Sequence, residues 1–342
     1  MSDCTSPVFR GISSRPRWHS ACRWFVEQWS AQFGIAALVA LTAFVVSAIE
    51  AYPADANADD AGKIIRLWPG GAPLAKGDSP ADVPTITMRE PREGTHNGTA
   101  LIICPGGGYG ALMTTYEGRD VADWFRAKGV TTFELQYRIA PYQHPAPLMD
   151  AQQAIRTIRA RAKEFEINPE RIGIIGFSAG GHLAATAATL FDTPLSPAAE
   201  VNPSDEAAQA VARASARPDF AILAYPVINL QDDVAHIGSR KNLLGATPDP
   251  QLVEMLSADL AVTKATPPTF LFHTGEDTVV PASHSLRYYQ ACLDAGVPAE
   301  MHVFEHGRHG VGLAREDPVL RAWPELCAAW MRRHGWLAPA AE

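Results

Sequence analysis

The sequence predicts an α/β fold: one domain over residues 59–342, with a mostly parallel central sheet and helices on both faces. Short apolar runs alternate with helical-period segments of about 10 to 15 residues, a pattern that requires a parallel sheet covered on both sides. The runs are continuously apolar, as strands buried on both faces are. Two of them lead straight into glycine clusters, Pro105–Gly110 and Gly176–Gly181, where an open α/β sheet gathers its chemistry.

The elements follow in order. Ala100–Cys104 is a buried strand stopped by Pro105 and three glycines. Gly118–Lys128 carries Val121, Ala122, Trp124 and Phe125 on one face and reads as a helix ended by Gly129. Val130–Tyr137 is the next strand, and Pro141–Pro147 breaks the chain. Asp150–Phe165 is a helix with Ala151, Ala154, Ile155 and Ile158 inward, and Asp150 is expected as its N-terminal cap. Ile172–Gly176 is a strand, and Ala179–Leu190 a small-residue helix. Strands at Phe220–Tyr225, Thr269–His273 and Ala299–Phe304 complete the sheet, with helices at Ala282–Ala295 and Pro318–His334. The segments 191–217 and 229–267 exceed ordinary crossovers and are expected to shape an acyl pocket or small lid.

Residues 1–58 differ from the rest. Arg10, Arg15, Arg17 and Arg23 precede an uncharged stretch, Phe33–Ile49, and small residues lead to Ala56-Asn57-Ala58. That is the layout of a cleavable export signal, with an N-terminal membrane anchor as the alternative. The stretch is 17 residues long, short against the roughly 20 that span a bilayer. Export predicts a periplasmic or secreted protein. The leader holds four Lys/Arg and four Asp/Glu, so its loss would leave the net charge at -8.

Hydrophobic residues make up 47% of the 342 and charged residues 19%, as in a packed globular protein. An acidic balance without a basic run excludes nucleic acid as an expected partner. Of five cysteines, Cys104, Cys292 and Cys327 fall outside the leader. Their odd number and wide spacing make no disulfide framework, and one bridge among them is left open. No metal-binding motif occurs, and neither metal nor cofactor is expected.

Gly176-Phe177-Ser178-Ala179-Gly180 carries the chemistry. A serine between glycines, after a strand and before a helix, sits on a sharp turn with its hydroxyl above the sheet. Ser178 is the candidate nucleophile; the alternative is a structural turn serine. Pro105-Gly106-Gly107-Gly108-Tyr109-Gly110 can present backbone N–H groups to a developing oxyanion. The expected donors are Gly107, Gly108 and Ala179. A phosphate loop is the competing reading, but the Lys-Ser/Thr of such loops is missing. His182 is expected to be structural, and Glu117 and Arg138 are read as structural ion-pair partners or substrate contacts.

The base should follow the last strand, where His306 and His309 stand. His309, flanked by turn-forming Gly307 and Gly310, is preferred. The orienting acid should end the preceding strand, where Glu276 and Asp277 stand, and Asp277 is preferred. The resulting order is Ser178, Asp277, His309. Such a set hydrolyses esters through an acyl-serine.

These residues carry a resemblance. Ile103–Tyr109, Tyr137-Arg138-Ile139-Ala140-Pro141, Gly176–His182, Thr266–Thr274 with Asp277, and Gly307–Leu313 resemble the α/β-hydrolase superfamily. Within it, they are similar to the bacterial esterase/lipase group that includes acetylxylan esterases and feruloyl-esterase-like proteins. The resemblance spans roughly residues 66 to 336 and implies a Ser-Asp-His triad at Ser178, Asp277 and His309. The hormone-sensitive-lipase branch has histidine before its triple glycine. Pro105 stands there in this chain, which points to the xylan-esterase-like group and away from a large helical cap. The activity so implied is deacylation of short esters, chiefly acetyl, on carbohydrate such as xylan fragments. A broad short-chain carboxylesterase or lipase-like enzyme and an inactive binding module are the alternatives. The expected partner is a small-molecule or oligosaccharide ester.

Overall fold

The computed structural model describes residues 61–195, 204–231 and 233–339. The leader, its cleavage motif, Cys4 and Cys22 lie outside them.

Eight strands form one sheet. They are β1 (Lys63–Arg66), β2 (Thr85–Arg89), β3 (Ala100–Cys104), β4 (Thr131–Gln136), β5 (Ile172–Phe177), β6 (Phe220–Ala224), β7 (Thr269–Thr274) and β8 (Ala299–Phe304). Their spatial order is β1-β2-β4-β3-β5-β6-β7-β8. β1 and β2 pair antiparallel, as do β2 and β4, and every later pairing is parallel. The helices are α1 (Asp120–Arg126), α2 (Ala146–Ala160), α3 (Ser178–Thr189), α4 (Glu206–Arg213), α5 (Ile237–Leu244), α6 (Pro250–Met255), α7 (Ser283–Asp294) and α8 (Trp323–Arg333).

The apolar runs sit where continuous hydrophobicity puts them. Every residue of β3, β5, β6 and β7 is buried. Successive side chains of a strand face opposite ways. Ile102 and Ile174 therefore pack with Ala154, Ile155 and Ile158 of α2 on one face. Leu101, Ile103 and Ile175 pack with Val121 and Phe125 of α1 and Trp323 and Met331 of α8 on the other. β3 is flanked by β4 and β5, so the winding direction reverses there. The carboxyl ends of β3 and β5 border the resulting crevice, and both glycine clusters emerge into it.

Four features differ from the sequence reading. The edge hairpin of β1 and β2 is not evident in the sequence, because short edge strands bury few residues: in β1 only Ile65 is buried. The helix expected from Asp150 begins at Ala146. Pro147 lies in its first turn, where a missing N–H costs nothing, so it does not break the chain there. Asp150, inside that helix, is not its cap. It accepts Arg138 Nε and Nη2 at 2.9 and 2.7 Å, the Arg138 backbone N–H at 3.0 Å and Trp68 Nε1 at 3.2 Å. The helix expected over Gly118–Lys128 is a π-helical turn, Thr115–Arg119, followed by α1.

Of the two long insertions, 229–267 lies beside the glycine loop. The Asn242 amide of α5 donates to Gly108 O at 2.8 Å. The described part of 191–217 faces elsewhere: Arg156 and Arg159 of α2 donate to the carbonyls of Ala212 and Ser215. A cavity of about 1000 Å³ lies there, and none of its lining residues belongs to the glycine loop or to the Ser178, Asp277 and His309 group.

Candidate active site

The turn at Ser178 exists because of its glycines. Phe177 is still extended, while Ser178 has φ +53°. That left-handed conformation strains a residue with a Cβ and is held here by its surroundings. A Cβ at Gly176 would stand 2.1 Å from Gly180 O, and one at Gly180 would stand 2.1 Å from Cys104 O. Only glycine fits at 176 and 180, two residues before and two after the serine, and β3 runs alongside Gly180.

Three side chains meet at this turn. His309 Nε2 lies 2.8 Å from Ser178 Oγ, and His309 Nδ1 lies 2.6 Å from Asp277 Oδ2. A carboxylate only accepts, so Nδ1 carries the proton and Nε2 presents its lone pair to the serine hydroxyl. Asp277 is buried, and its Oδ1 takes the N–H groups of Val279 and Val280 at 3.0 and 2.9 Å. Burial alone would raise its pKa, but hydrogen bonds from His273, His309 and Val280 outweigh burial and hold the carboxyl below the usual range. His273, beneath it, is fixed by Ser285 Oγ and Val280 O, each at 2.8 Å.

Glu276 and His306 pair with each other on the surface instead, Oε1 to Nδ1 at 2.9 Å. His182 is tied down at both nitrogens, to Tyr109 Oη and Leu256 O at 2.8 Å each. Burial lowers its pKa to about 4, so it stays neutral.

The glycine loop is aimed by its carbonyls. Gly106 O accepts Met113 N–H at 3.0 Å, and Gly107 O accepts the N–H groups of Gly110 and Ala111 at 3.0 Å each. Across a trans peptide, C=O and the following N–H point oppositely. The N–H groups of Gly107 and Gly108 are thereby turned out of the loop, and neither has an acceptor among the described residues. Gly107 and Gly108 take φ +126° and +63°, left-handed values suited to glycine. The loop passes close to the serine: a Cβ at Gly106 would stand 3.0 Å from Ser178 Cβ. Tyr137 Oη braces the loop by donating to Pro105 O at 2.7 Å. Ala179, in the first turn of α3, offers an N–H without an intrahelical partner.

Glu117 and Arg138 part company. Arg138 is sealed against Asp150, with side chains 1% and 0% exposed, and is structural. Glu117 lies under the glycine loop, accepting Gly106 N–H and Tyr225 O–H at 2.8 Å each. Burial pushes its pKa up, opposed by those two bonds and by the nearby charge of His309.

Two more residues belong to this neighbourhood and went unremarked in the sequence. Tyr225, just after β6, packs its ring edge-on to His309 at 5.1 Å. His236 caps α5, its Nδ1 taking Ser239 N–H at 3.3 Å and approaching Ser239 Oγ at 2.8 Å. A Cβ at Gly108 would lie 3.9 Å from His236 Cε1, which puts the ring beside the glycine loop. Both residues come from connections with no motif of their own.

The family model BD-FAE matches residues 87–292. The chain belongs to the BD-FAE family. The match runs from β2 into α7 and takes in Ser178 and Asp277, ending before His309. Two curated relatives are each 34% identical: an acetylxylan esterase of Xylanibacter ruminicola over 220 residues and an endo-1,4-beta-xylanase B of Butyrivibrio fibrisolvens over 221 residues. The alignments cover 63% and 64% of this chain but 42% and 33% of those proteins, so the chain spans less than half the length of either. A crystal structure of an acetyl ester-xyloside bifunctional hydrolase from Caldicellulosiruptor lactoaceticus is 41% identical, with a TM-score of 0.74. It aligns over 81% of this chain and 98% of its own. The fold is that of the α/β-hydrolases, as this member of the family was expected to have.

Proposed function

We propose that this protein is a serine esterase that removes short acyl groups, chiefly acetyl, from carbohydrate such as xylan fragments. The observation that carries the reaction class is the continuous Asp277–His309–Ser178 hydrogen-bonded chain at the carboxyl end of the sheet. Support for the substrate class comes from the relatives, two of which are named for acetyl esters on xylan or xyloside.

The steps follow from the geometry. Ser178 Oγ attacks the ester carbonyl carbon as its proton passes to His309 Nε2. Asp277 holds the imidazole tautomer and offsets the imidazolium charge. The N–H groups of Gly107, Gly108 and Ala179 receive the oxyanion. Collapse breaks the bond to the alcohol oxygen, which leaves with the proton from His309. Water then attacks the acyl-serine, gives its proton to His309 and releases the acid; the same proton returns to Ser178. A broad short-chain carboxylesterase would use the same steps.

The layout of residues 1–58 supports export, with the enzyme working in the periplasm or outside the cell; an N-terminal anchor would keep it at a membrane. A panel of acetylated xylo-oligosaccharides, feruloyl esters and nitrophenyl esters of rising chain length tests the reading, with Ser178→Ala as control. Release of acetate from the xylo-oligosaccharides is expected. Turnover of nitrophenyl esters alone would leave the broad esterase and remove the carbohydrate.

A further inference from the structure

We propose that Glu117 is a positioning residue: a buried carboxylate that ties the oxyanion loop to the loop carrying His309 and balances the positive charge His309 gains during acyl transfer. The inference rests on the serine-esterase reading above.

Glu117 is 1% exposed and sits in a π-helical turn, a rare geometry found often at functional sites. Its Oε2 accepts Gly106 N–H at 2.8 Å, which fixes the glycine loop one residue before its free N–H groups. Its Oε1 meets Tyr225 Oη at 2.8 Å. Tyr225 Oη in turn accepts Gly312 N–H at 2.9 Å, three residues beyond His309. A phenol has one proton, and Glu117 is where it goes. Both carboxylate oxygens therefore accept, as an ionised group does.

The Tyr225 ring links this network to the base. It lies edge-on to the His309 imidazole, 5.1 Å between centroids. The backbone at Tyr225 is held at φ +37° to put it there, with its N–H donated to Phe272 O at 2.7 Å. Strain of that kind persists only where the surroundings enforce it.

The charge is the informative feature. A carboxylate buried without a cation is costly, and such groups are normally paired. Among the described residues, no lysine or arginine pairs with Glu117, and His309 is the cationic group whose charge acts on it. That partner is neutral at rest and positive in the transition state. An interaction that strengthens only as the reaction proceeds speeds the chemical step. Glu117 thus acts on His309 through Tyr225 and its own charge, without touching the reacting atoms.

Glu117→Gln tests this by keeping size and removing charge. Other groups facing His309 stay in place: Asp277 with His273 behind it, Ser178, His236 from the α5 cap, and Arg308, whose Nη1 donates to His309 O. Readouts are kcat and KM on nitrophenyl acetate, the acidic limb of kcat/KM against pH, and the rate at which a fluorophosphonate labels Ser178. Expected are a fall of roughly 10- to 100-fold in kcat and labelling rate and a KM within about twofold. Loss of a nearby negative charge disfavours a cation beside it, so the limb moves to lower pH. An unchanged rate, or a slower rate with an unmoved limb, overturns the proposal. Should Glu117→Gln fail to fold, Tyr225→Phe decides: the wild-type labelling rate and limb in that variant overturn it. A wild type inert on every ester yet labelled at Ser178 would sink the esterase reading, while the labelling rates would still test Glu117.

Discussion

Two carboxylate–histidine pairs lie side by side in this protein. Asp277 bonds His309 at 2.6 Å, and its neighbour Glu276 bonds His306 at 2.9 Å. The residue types match, and both pairs join the β7 loop to the β8 loop. They differ in what surrounds them. The side chains of Asp277 and His309 are 0% and 16% exposed, whereas those of Glu276 and His306 are 59% and 74% exposed. Asp277 has a fixed set of donors, and His309 has Ser178 at its far nitrogen. The far nitrogen of His306 lies 3.7 Å from the exposed Glu305 carboxylate. Burial, a fixed tautomer and a third group within reach set the proposed catalytic pair apart, not its own short contact.

Breaking the buried pair should have the largest effects. Ser178→Ala and His309→Ala should each remove nearly all ester turnover, by roughly 10⁵- to 10⁶-fold in kcat, with the melting temperature little changed. Asp277→Asn, which favours the wrong imidazole tautomer, should cost roughly 10³- to 10⁴-fold. Both are read by steady-state kinetics beside a thermal melt. A third pair sharpens the contrast. Arg138 and Asp150 are as buried as Asp277 but lead to no nucleophile. Arg138→Met strands a carboxylate in the core and should lower stability by about 3 to 5 kcal/mol, measured by denaturant unfolding. The smallest effect should be at the surface pair: Glu276→Gln and His306→Ala should leave kcat/KM within about twofold, because an exposed ion pair is screened.

Acid acts on the buried pair in a definite direction. The folded-state pKa of Asp277 lies below its unfolded value of about 3.9. The stability this gives is present above that value and is lost as pH falls through the folded pKa. Asp277 therefore stays ionised at mildly acidic pH. The acidic limb of kcat/KM should report one group, and Glu276→Gln should not move it.

Much of this was legible in the sequence. β3, β5, β6 and β7 were visible because each is buried along its whole length and carries an apolar run. Ser178, Asp277 and His309 were legible because each sits in a loop next to glycines, in an order that the sheet imposes. What hid was non-local. Glu117 reaches Tyr225 across 108 residues and Asn242 reaches Gly108 across 134, and no spacing rule connects such positions. The choice between Glu276 and Asp277 rested on loop geometry, and adjacent carboxylates differ only in which way the turn sends them. Pro147 misled because a proline that breaks a helix interior is at home in a first turn.

The central claim is that Ser178 is made nucleophilic by the buried pair and not by its exposed neighbour. Mass-spectrometric mapping of a fluorophosphonate adduct, timed in the wild type, His309→Ala and His306→Ala, tests it directly. One adduct is expected, on Ser178, formed at the wild-type rate in His306→Ala and at least about 10³-fold more slowly in His309→Ala. An adduct on another residue, or labelling of Ser178 that does not depend on His309, would contradict it.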